Sequence, residues 1–256
     1  MIMTTIDIWN ISIPQLTGDE VRRAYICLPD SYYDNPQRRY PVLYMFDGQN
    51  IFFDSDATYG KSWGVKDYLD RTGADIIVAA VECNRHPDNS RLCEYSPYSF
   101  SSPIWGDVTG RGDITMDWFI DEFKPAVDEN FRTLPDREHT FIGGSSMGGL
   151  MSLYAVLRHN NVFSRAAALS PSLCFNFPEI TQLIENTSIA SDTVIYMDCG
   201  STEIDGEDRN FPRTAYMLMC KGAMVNSRII LGGTHSEASW EKQVPFFMIT
   251  LLYGLN

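Results

Sequence analysis

No apolar run in these 256 residues reaches the ~18 residues that a membrane-crossing helix requires, so no membrane partner is expected. Positive charge is also scarce. Lys and Arg number 20 against 33 Asp and Glu, giving a net charge of −13 and a pI near 4.6. Such a surface repels a phosphate backbone, which argues against nucleic acid as a ligand. Six cysteines are present, but none forms a C-x-x-C pair and none stands at zinc-ligand spacing from a histidine. No metal is therefore expected, and no motif for a cofactor is present. Most of the cysteines lie in apolar runs, which suits buried thiols in a reducing compartment. The opening "MIMTTIDIWNISIPQ" lacks a basic segment followed by an apolar one, so the expected location is cytoplasmic. Repeats, low-complexity tracts and linker-like runs are absent, and residues 1–256 read as a single domain. Against these absences, 44% of the residues are hydrophobic, enough for a sizeable core.

The apolar residues come in short bursts. "RAYICLP", "YPVLYMFDG", "DIIVAAVEC", "HTFIGG", "RAAALSPS", "TVIYMDCG" and "SRIILGGTH" each hold an apolar core without proline, and most end in small or polar residues. "DIIVAAVEC" is continuously apolar, as a strand covered on both faces should be. Helix-like stretches fall between them. In "DWFIDEFKPAVDENF", Phe119, Phe123, Val127 and Phe131 recur every fourth residue. "MGGLMSLYAVLRH" and "SWEKQVPFFMITLLYGL" also read as helical. Alternating strands and helices predict an α/β fold with a mostly parallel sheet flanked by helices. "RAYICLP" and "YPVLYMFDG" precede any helix, so an antiparallel N-terminal edge is expected of them. Ligands of such sheets bind beyond the carboxyl ends of the strands.

At one such end stands "FIGGSSMGGL". Gly144-Ser145-Ser146-Met147-Gly148 reads G-x-S-x-G between a predicted strand and a predicted helix, the setting of a nucleophile elbow. A sharp strand-to-helix turn strains its serine and leaves no room for side chains two residues to either side. Ser145 is the rival nucleophile, but the spacing to both glycines selects Ser146. The N–H of Met147, at the helix start, then faces a developing oxyanion. A second donor is expected after the third strand, in "FDGQNIFFD", from Gly48 or Gln49.

A serine nucleophile needs a base, and the chain has only four histidines. His139 begins a strand, at the wrong end of the sheet. His159 lies at the far end of the helix that follows the serine. His86 follows a strand and could line a pocket, but precedes the serine. His235, in "LGGTHSEASW", follows the last strand, where the order Ser…acid…His puts the base. The acid is sought after the preceding strand, in "TVIYMDCGSTEIDGED". Asp198 still belongs to that strand. Glu203 is the candidate and Asp205 the reserve, for an acid that must hold the imidazole tautomer. About thirty irregular residues, "NRHPDNSRLCEYSPYSFSSPIWGDVTGRGD", offer Arg91, Tyr95 and Trp105 for an aromatic or anionic substrate. Mutual bracing of the loop by Arg91, Glu94 and Tyr95 is the structural alternative.

Taken together, "YPVLYMFDGQNIFFD", "KSWGV", "RLCEYSPY", "FRTLPDREHTFIGGSSMGGLMSLY", "ALSPS", "CGSTE" and "GGTHSEASW" resemble the putative-esterase family of α/β-hydrolases. That family includes enterochelin esterases, feruloyl and other carbohydrate-linked esterases, S-formylglutathione hydrolase and mycolyltransferases. The resemblance runs from about Arg22 to Trp240. It implies an α/β-hydrolase fold, Ser146 as nucleophile, His235 as base and the acid at Glu203, where many relatives carry aspartate. It implies a serine esterase that needs no cofactor and acts on a small-molecule ester of carbohydrate or siderophore type. An acyltransferase using the same acyl-enzyme is the alternative within enzymes. A non-catalytic binding protein on this fold is the alternative outside them. Self-association into a homo-oligomer is compatible with the sequence.

Overall fold

A computed structural model describes residues 4–86, 90–203 and 210–255. Its strands are β1 (Thr5–Ser12), β2 (Val21–Leu28), β3 (Val42–Met45), β4 (Ile77–Val81), β5 (Phe100–Ser102), β6 (Gly106–Val108), β7 (Thr140–Ser145), β8 (Arg165–Leu169), β9 (Val194–Gly200) and β10 (Met224–Ile230). Its helices are α1 (Pro14–Thr17), α2 (Val65–Thr72), α3 (Ser90–Glu94), α4 (Gly112–Trp118), α5 (Lys124–Asn130), α6 (Met147–Arg158), α7 (Leu173–Asn186), α8 (Asn210–Cys220), α9 (Glu237–Glu241) and α10 (Val244–Leu252).

Eight strands form one sheet in the order β1-β2-β4-β3-β7-β8-β9-β10, with β5 and β6 as a separate hairpin. β1 with β2, and β2 with β4, pair antiparallel, and every other pairing in the large sheet is parallel. An antiparallel edge is therefore present, but its members differ from the sequence expectation. Thr5–Ser12 pairs with the "RAYICLP" strand, while "YPVLYMFDG" supplies β3 in the middle of the sheet. The burial pattern gives the reason. All four β3 residues are buried, as a central strand requires, whereas β1 mixes exposed and half-buried positions.

Helices cover both faces. Met116, Val127, Leu150, Ile180 and Leu218, from α4, α5, α6, α7 and α8, join one apolar cluster with Val42, Tyr44 and Ile195 of the sheet. Leu69 of α2 and Phe247 and Leu251 of α10 join the other cluster, with Leu43, Met45 and Tyr196. The stretch read as one helix over 117–131 passes through a π-turn, Phe119–Phe123, between α4 and α5. Pro125 lacks an N–H and its ring would meet the carbonyl four residues back, so the wider turn makes room for it. Phe119, Phe123 and Val127 stay buried throughout. The C-terminal stretch also divides, with Pro245 in the first turn of α10. Among the described residues, no helix is long and apolar enough to cross a membrane.

Cys27, Cys83 and Cys199 are buried, Cys93 is half-buried, and Cys174 and Cys220 are exposed. The expectation of burial thus holds for half of them. Cys220 ends α8 on its outer side, and Cys174 stands at the start of α7 beside a cavity.

Candidate active site

Among the described residues, three other than glycine have positive φ: Asp47 at 57°, Ser146 at 58° and Ser170 at 41°. They follow the carboxyl ends of β3, β7 and β8. Strain of this kind persists where surrounding structure over-determines it, and it clusters at functional sites.

Ser146 joins β7 to α6. Its N–H donates to the Leu169 carbonyl at 2.9 Å, and its own carbonyl accepts from Ser172 at 3.1 Å and from Leu150 at 3.0 Å. The glycines around it are there for space. A Cβ on Gly144 would lie 2.9 Å from the Gly148 backbone, and one on Gly149 would lie 2.8 Å from the Leu169 carbonyl oxygen. Ser145 remains inside β7, paired with Leu169. Met147 opens α6, so its N–H belongs to the first turn, where no intrahelical acceptor exists.

Gly48–Asn50 form a 3-10 turn directly after Asp47. A Cβ on Gly48 would lie 2.8 Å from the backbone of Ala80 in β4, so only glycine lets this turn sit so low on the sheet. Gln49 is buried, and its side chain is tied to Cys83, whose N–H donates to Oε1 at 3.2 Å. The turn that would supply the second oxyanion donor is thus anchored at both Asp47 and Gln49.

Glu203 and His235, the expected acid and base, meet beyond the carboxyl ends of β9 and β10. His235 Nδ1 and Glu203 Oε2 are 2.6 Å apart. Glu203 Oε1 accepts from the Gly200 N–H at 2.7 Å and from the Ser170 hydroxyl at 2.9 Å. Burial acts to raise the Glu203 carboxyl, but the bond from His235 and those from Gly200 and Ser170 outweigh it and hold the group below its ordinary value. Asp205, the reserve acid, lies outside the described residues. The His235 ring meets the Trp240 ring edge to face, with centroids 5.0 Å apart. The Trp240 indole N–H donates to Ser170 Oγ at 2.9 Å, so Ser170 links the indole to the acid.

A cavity of about 590 Å³ opens over these groups. Ser146, His235 and Gln49 all line it, as do Asp47, Arg91 and Glu237. Ser146 Oγ meets Ser172 Oγ at 3.2 Å rather than the His235 ring. Such nucleophile–base contacts are often long without substrate and shorten in the complex. Glu237 is 6% exposed and accepts from Asn50 at 3.4 Å. Burial pushes its carboxyl up, and the charge of Asp47 adds to this. A second cavity, of about 310 Å³, is also lined by His235, together with Pro171, Leu173 and Phe211.

The three residues expected to bind substrate separate. Arg91 lines the cavity, but both its Nε and Nη2 lie 2.6 Å from the Asp47 carboxylate. Tyr95 is 3% exposed and stands behind Asp47, whose N–H donates to the phenol oxygen at 3.2 Å. Trp105 sits exposed at the β5–β6 hairpin, away from the cavity lining. Arg91 and Tyr95 thus brace the strained Asp47, and Trp105 belongs to the hairpin surface. The other histidines fall as anticipated: His86 lines the cavity, His139 precedes β7, and His159 follows α6.

Asp47 and Glu237 carry no signal in the sequence that marks them as site residues. Ser170 and Ser172 lie in "SPSLCFNF", a segment expected at the carboxyl end of a strand, but nothing local assigns either a role.

A mostly parallel eight-stranded sheet flanked by helices, with an antiparallel edge and with Ser146, Glu203 and His235 past β7, β9 and β10, defines an α/β-hydrolase fold. Residues 17–253 match the family described as "Putative esterase", and the chain belongs to that family of ester hydrolases. "Uncharacterized protein YbbA" of Bacillus subtilis (strain 168) is 24% identical over 185 residues, 71% of this chain and 69% of that protein. The "Endo-1,4-beta-xylanase/feruloyl esterase" of Xylanibacter ruminicola is 23% identical over 229 residues, 87% of this chain but 28% of that longer protein. Among solved structures, the "Enterobactin and Salmochelin Hydrolase IroE" aligns with a TM-score of 0.70 at 17% identity over 96% of each chain. A "ferulic acid esterase" aligns with a TM-score of 0.69 at 19% identity, over 98% of this chain and 99% of that one.

Proposed function

We propose that the protein is a serine hydrolase that cleaves carboxylic esters through an acyl-enzyme. The observation that carries this reading is the 2.6 Å pairing of His235 with Glu203 beside a cavity that the strained Ser146 also lines. Glu203 fixes the ring with the proton on Nδ1, leaving Nε2 to take the proton of Ser146 as its hydroxyl attacks the ester carbonyl. The Met147 N–H, with that of Gly48 or Gln49, stabilises the oxyanion. Loss of one such donor costs about 10²–10³ in kcat. His235 returns its proton to the departing alcohol. It then takes a proton from water as the water attacks the acyl carbon, and gives that proton to Ser146 Oγ as the acyl–oxygen bond breaks and the acid leaves.

The substrate is an ester with a polar portion, of carbohydrate or siderophore type. Two features support this. Asn50, Thr58, Asn84 and Glu237 surround the larger cavity with hydrogen-bonding groups. The relatives include proteins described as feruloyl esterase and enterobactin hydrolase.

The test is hydrolysis of p-nitrophenyl acetate and p-nitrophenyl butyrate by the wild type and by Ser146→Ala. Turnover is expected in the wild type and is expected to vanish in the variant. A small fluorophosphonate should label Ser146. Turnover that survives in Ser146→Ala, or a failure to label Ser146, would overturn the reading.

A further inference from the structure

Among the described residues, the last strand of the sheet, β10, has no neighbour on its outer side. Met224 N–H donates to the Thr193 carbonyl, and the Ile230 carbonyl accepts from Ser201. The even-numbered residues of β10 therefore turn their main-chain groups toward β9. Val225, Ser227 and Ile229 turn theirs outward, where an added strand would find them.

Large apolar side chains are concentrated along this edge. Met224 is 53% exposed, Ile229 55% and Leu231 94%. The helices beside the edge extend the patch on both faces of the sheet. Tyr216 of α8 is 67% exposed, and Ile249 and Tyr253 of the α10 end are 63% and 68% exposed. Exposed apolar area gathered in this way marks an interaction surface.

Charge identifies the partner. The chain carries 33 acidic residues, yet none occurs from Asn210 to Gly233, which spans α8 and β10, and none from Lys242 to the end. Two copies of a protein with net charge −13 repel each other over most of their surfaces, but not here.

The order of residues in β10 is self-complementary. Met-Val-Asn-Ser-Arg-Ile-Ile is apolar at both ends and polar at the centre. A two-fold axis through Ser227 places Met224 opposite Ile230, Val225 opposite Ile229 and Asn226 opposite Arg228. Residues directly opposite in an antiparallel pair share a face, so apolar meets apolar at each end. The same axis makes Ser227 and its copy a hydrogen-bonded pair, and Val225 and Ile229 another, which matches the groups that point outward. Edge strands that avoid pairing carry proline, bulges or lysine. β10 has none of these, and its one cation, Arg228, lies over the Phe246 ring at 3.7 Å.

We propose that the protein forms a two-fold symmetric homodimer in which β10 pairs antiparallel with β10 of a second copy, extending one sheet through both. Isologous contacts of this kind are the commonest closed assembly.

The test is sedimentation velocity on the purified protein across a range of concentrations. Twice the chain mass is expected for the wild type. Ser227→Pro removes an outward N–H without touching the β9 ladder, and it should sediment as a monomer with its cooperative melting kept. Ile229→Lys places a charge in the same seam and should also give a monomer. It carries the test if the proline variant fails to fold. Ser227→Ala should remain a dimer. A wild type at single-chain mass throughout would overturn the proposal. So would a dimer that persists in Ile229→Lys and in a folded Ser227→Pro.

Discussion

The hydroxyl of Ser170 accepts from the Trp240 indole at 2.9 Å and donates to Glu203 at 2.9 Å, from a backbone φ of 41°. These roles can be separated by substitution. Ser170→Ala and Ser170→Gly both remove the hydroxyl and leave a buried indole N–H unsatisfied, a loss of about 1–3 kcal/mol. Only glycine relieves the positive φ. The melting temperature of Ser170→Gly should therefore exceed that of Ser170→Ala. Both should lower kcat with little change in KM, because the acid loses one of its donors. Equal melting temperatures would show that the backbone at 170 carries no strain, and wild-type kcat in both would show that Glu203 does not depend on the serine. At this scale Ser146 was legible because its demand for glycines is local: Gly144 and Gly148 lie two residues away. Asp47 and Ser170 were not, because Arg91, Tyr95, Glu203 and Trp240 reach them from 33 to 70 residues away.

β9 illustrates how one element sets the site. A Cβ on Gly200 would lie 2.2 Å from the Gly233 carbonyl oxygen, so the chain past β9 and the chain past β10 touch backbone to backbone. That approach brings Glu203 to His235. Two residues before Gly200, Asp198 is buried and bonded by the Tyr196 hydroxyl at 2.7 Å. Burial raises its carboxyl from 3.8 to about 7, with Glu203 adding repulsion. The unfolded chain ionises this group at its ordinary value, while the folded one must keep the proton or bury a charge. Stability is thus lost as pH climbs from 3.8 toward about 7, and the loss is constant above that. Asp198→Asn removes the titration. Its melting temperature should gain on the wild type as pH goes from about 4 to about 8. A difference that does not change with pH in thermal melts would refute this. β2, β3, β4, β7, β8, β9 and β10 were legible from their apolar runs, whereas β1 and the short β5 and β6 carry no such run. The pairing of β1 with β2, and the central place of β3, were not legible, because each depends on which other strands arrive beside it.

Across the whole molecule, the long segment after β4 is fastened to the sheet by a buried ion pair. Arg22 of β2 donates to Glu94 of α3 through both terminal nitrogens, and the two side chains are 4% and 3% exposed. Asn84 donates to the same carboxylate. Burial acts against the Arg22 cation, but the bond and charge of Glu94 more than offset it. Removing one partner leaves a buried charge, which typically costs about 3–5 kcal/mol. Glu94→Leu should lower the unfolding free energy obtained from urea melts by about that amount, and Arg22→Met with Glu94→Leu should recover much of it. A double variant as unstable as the sum of the single ones would show that the pair is not coupled.

The sequence by itself determined the alternation of most strands and helices and the elbow at Ser146. Both rest on residues within a few positions of one another, where backbone sterics and periodicity act. The sequence also carried the acid-free stretch from Asn210 to Gly233, but not the fact that this stretch forms a sheet edge. Tertiary structure decided the rest. It joined β1 to β2, paired Arg91 of the cavity lining with Asp47, and set Ser170 between an indole and a carboxylate. Those outcomes depend on which distant segments meet and on which polar groups are then buried together. Short-range sequence does not encode that meeting, because burial and pairing are properties of the assembled sheet.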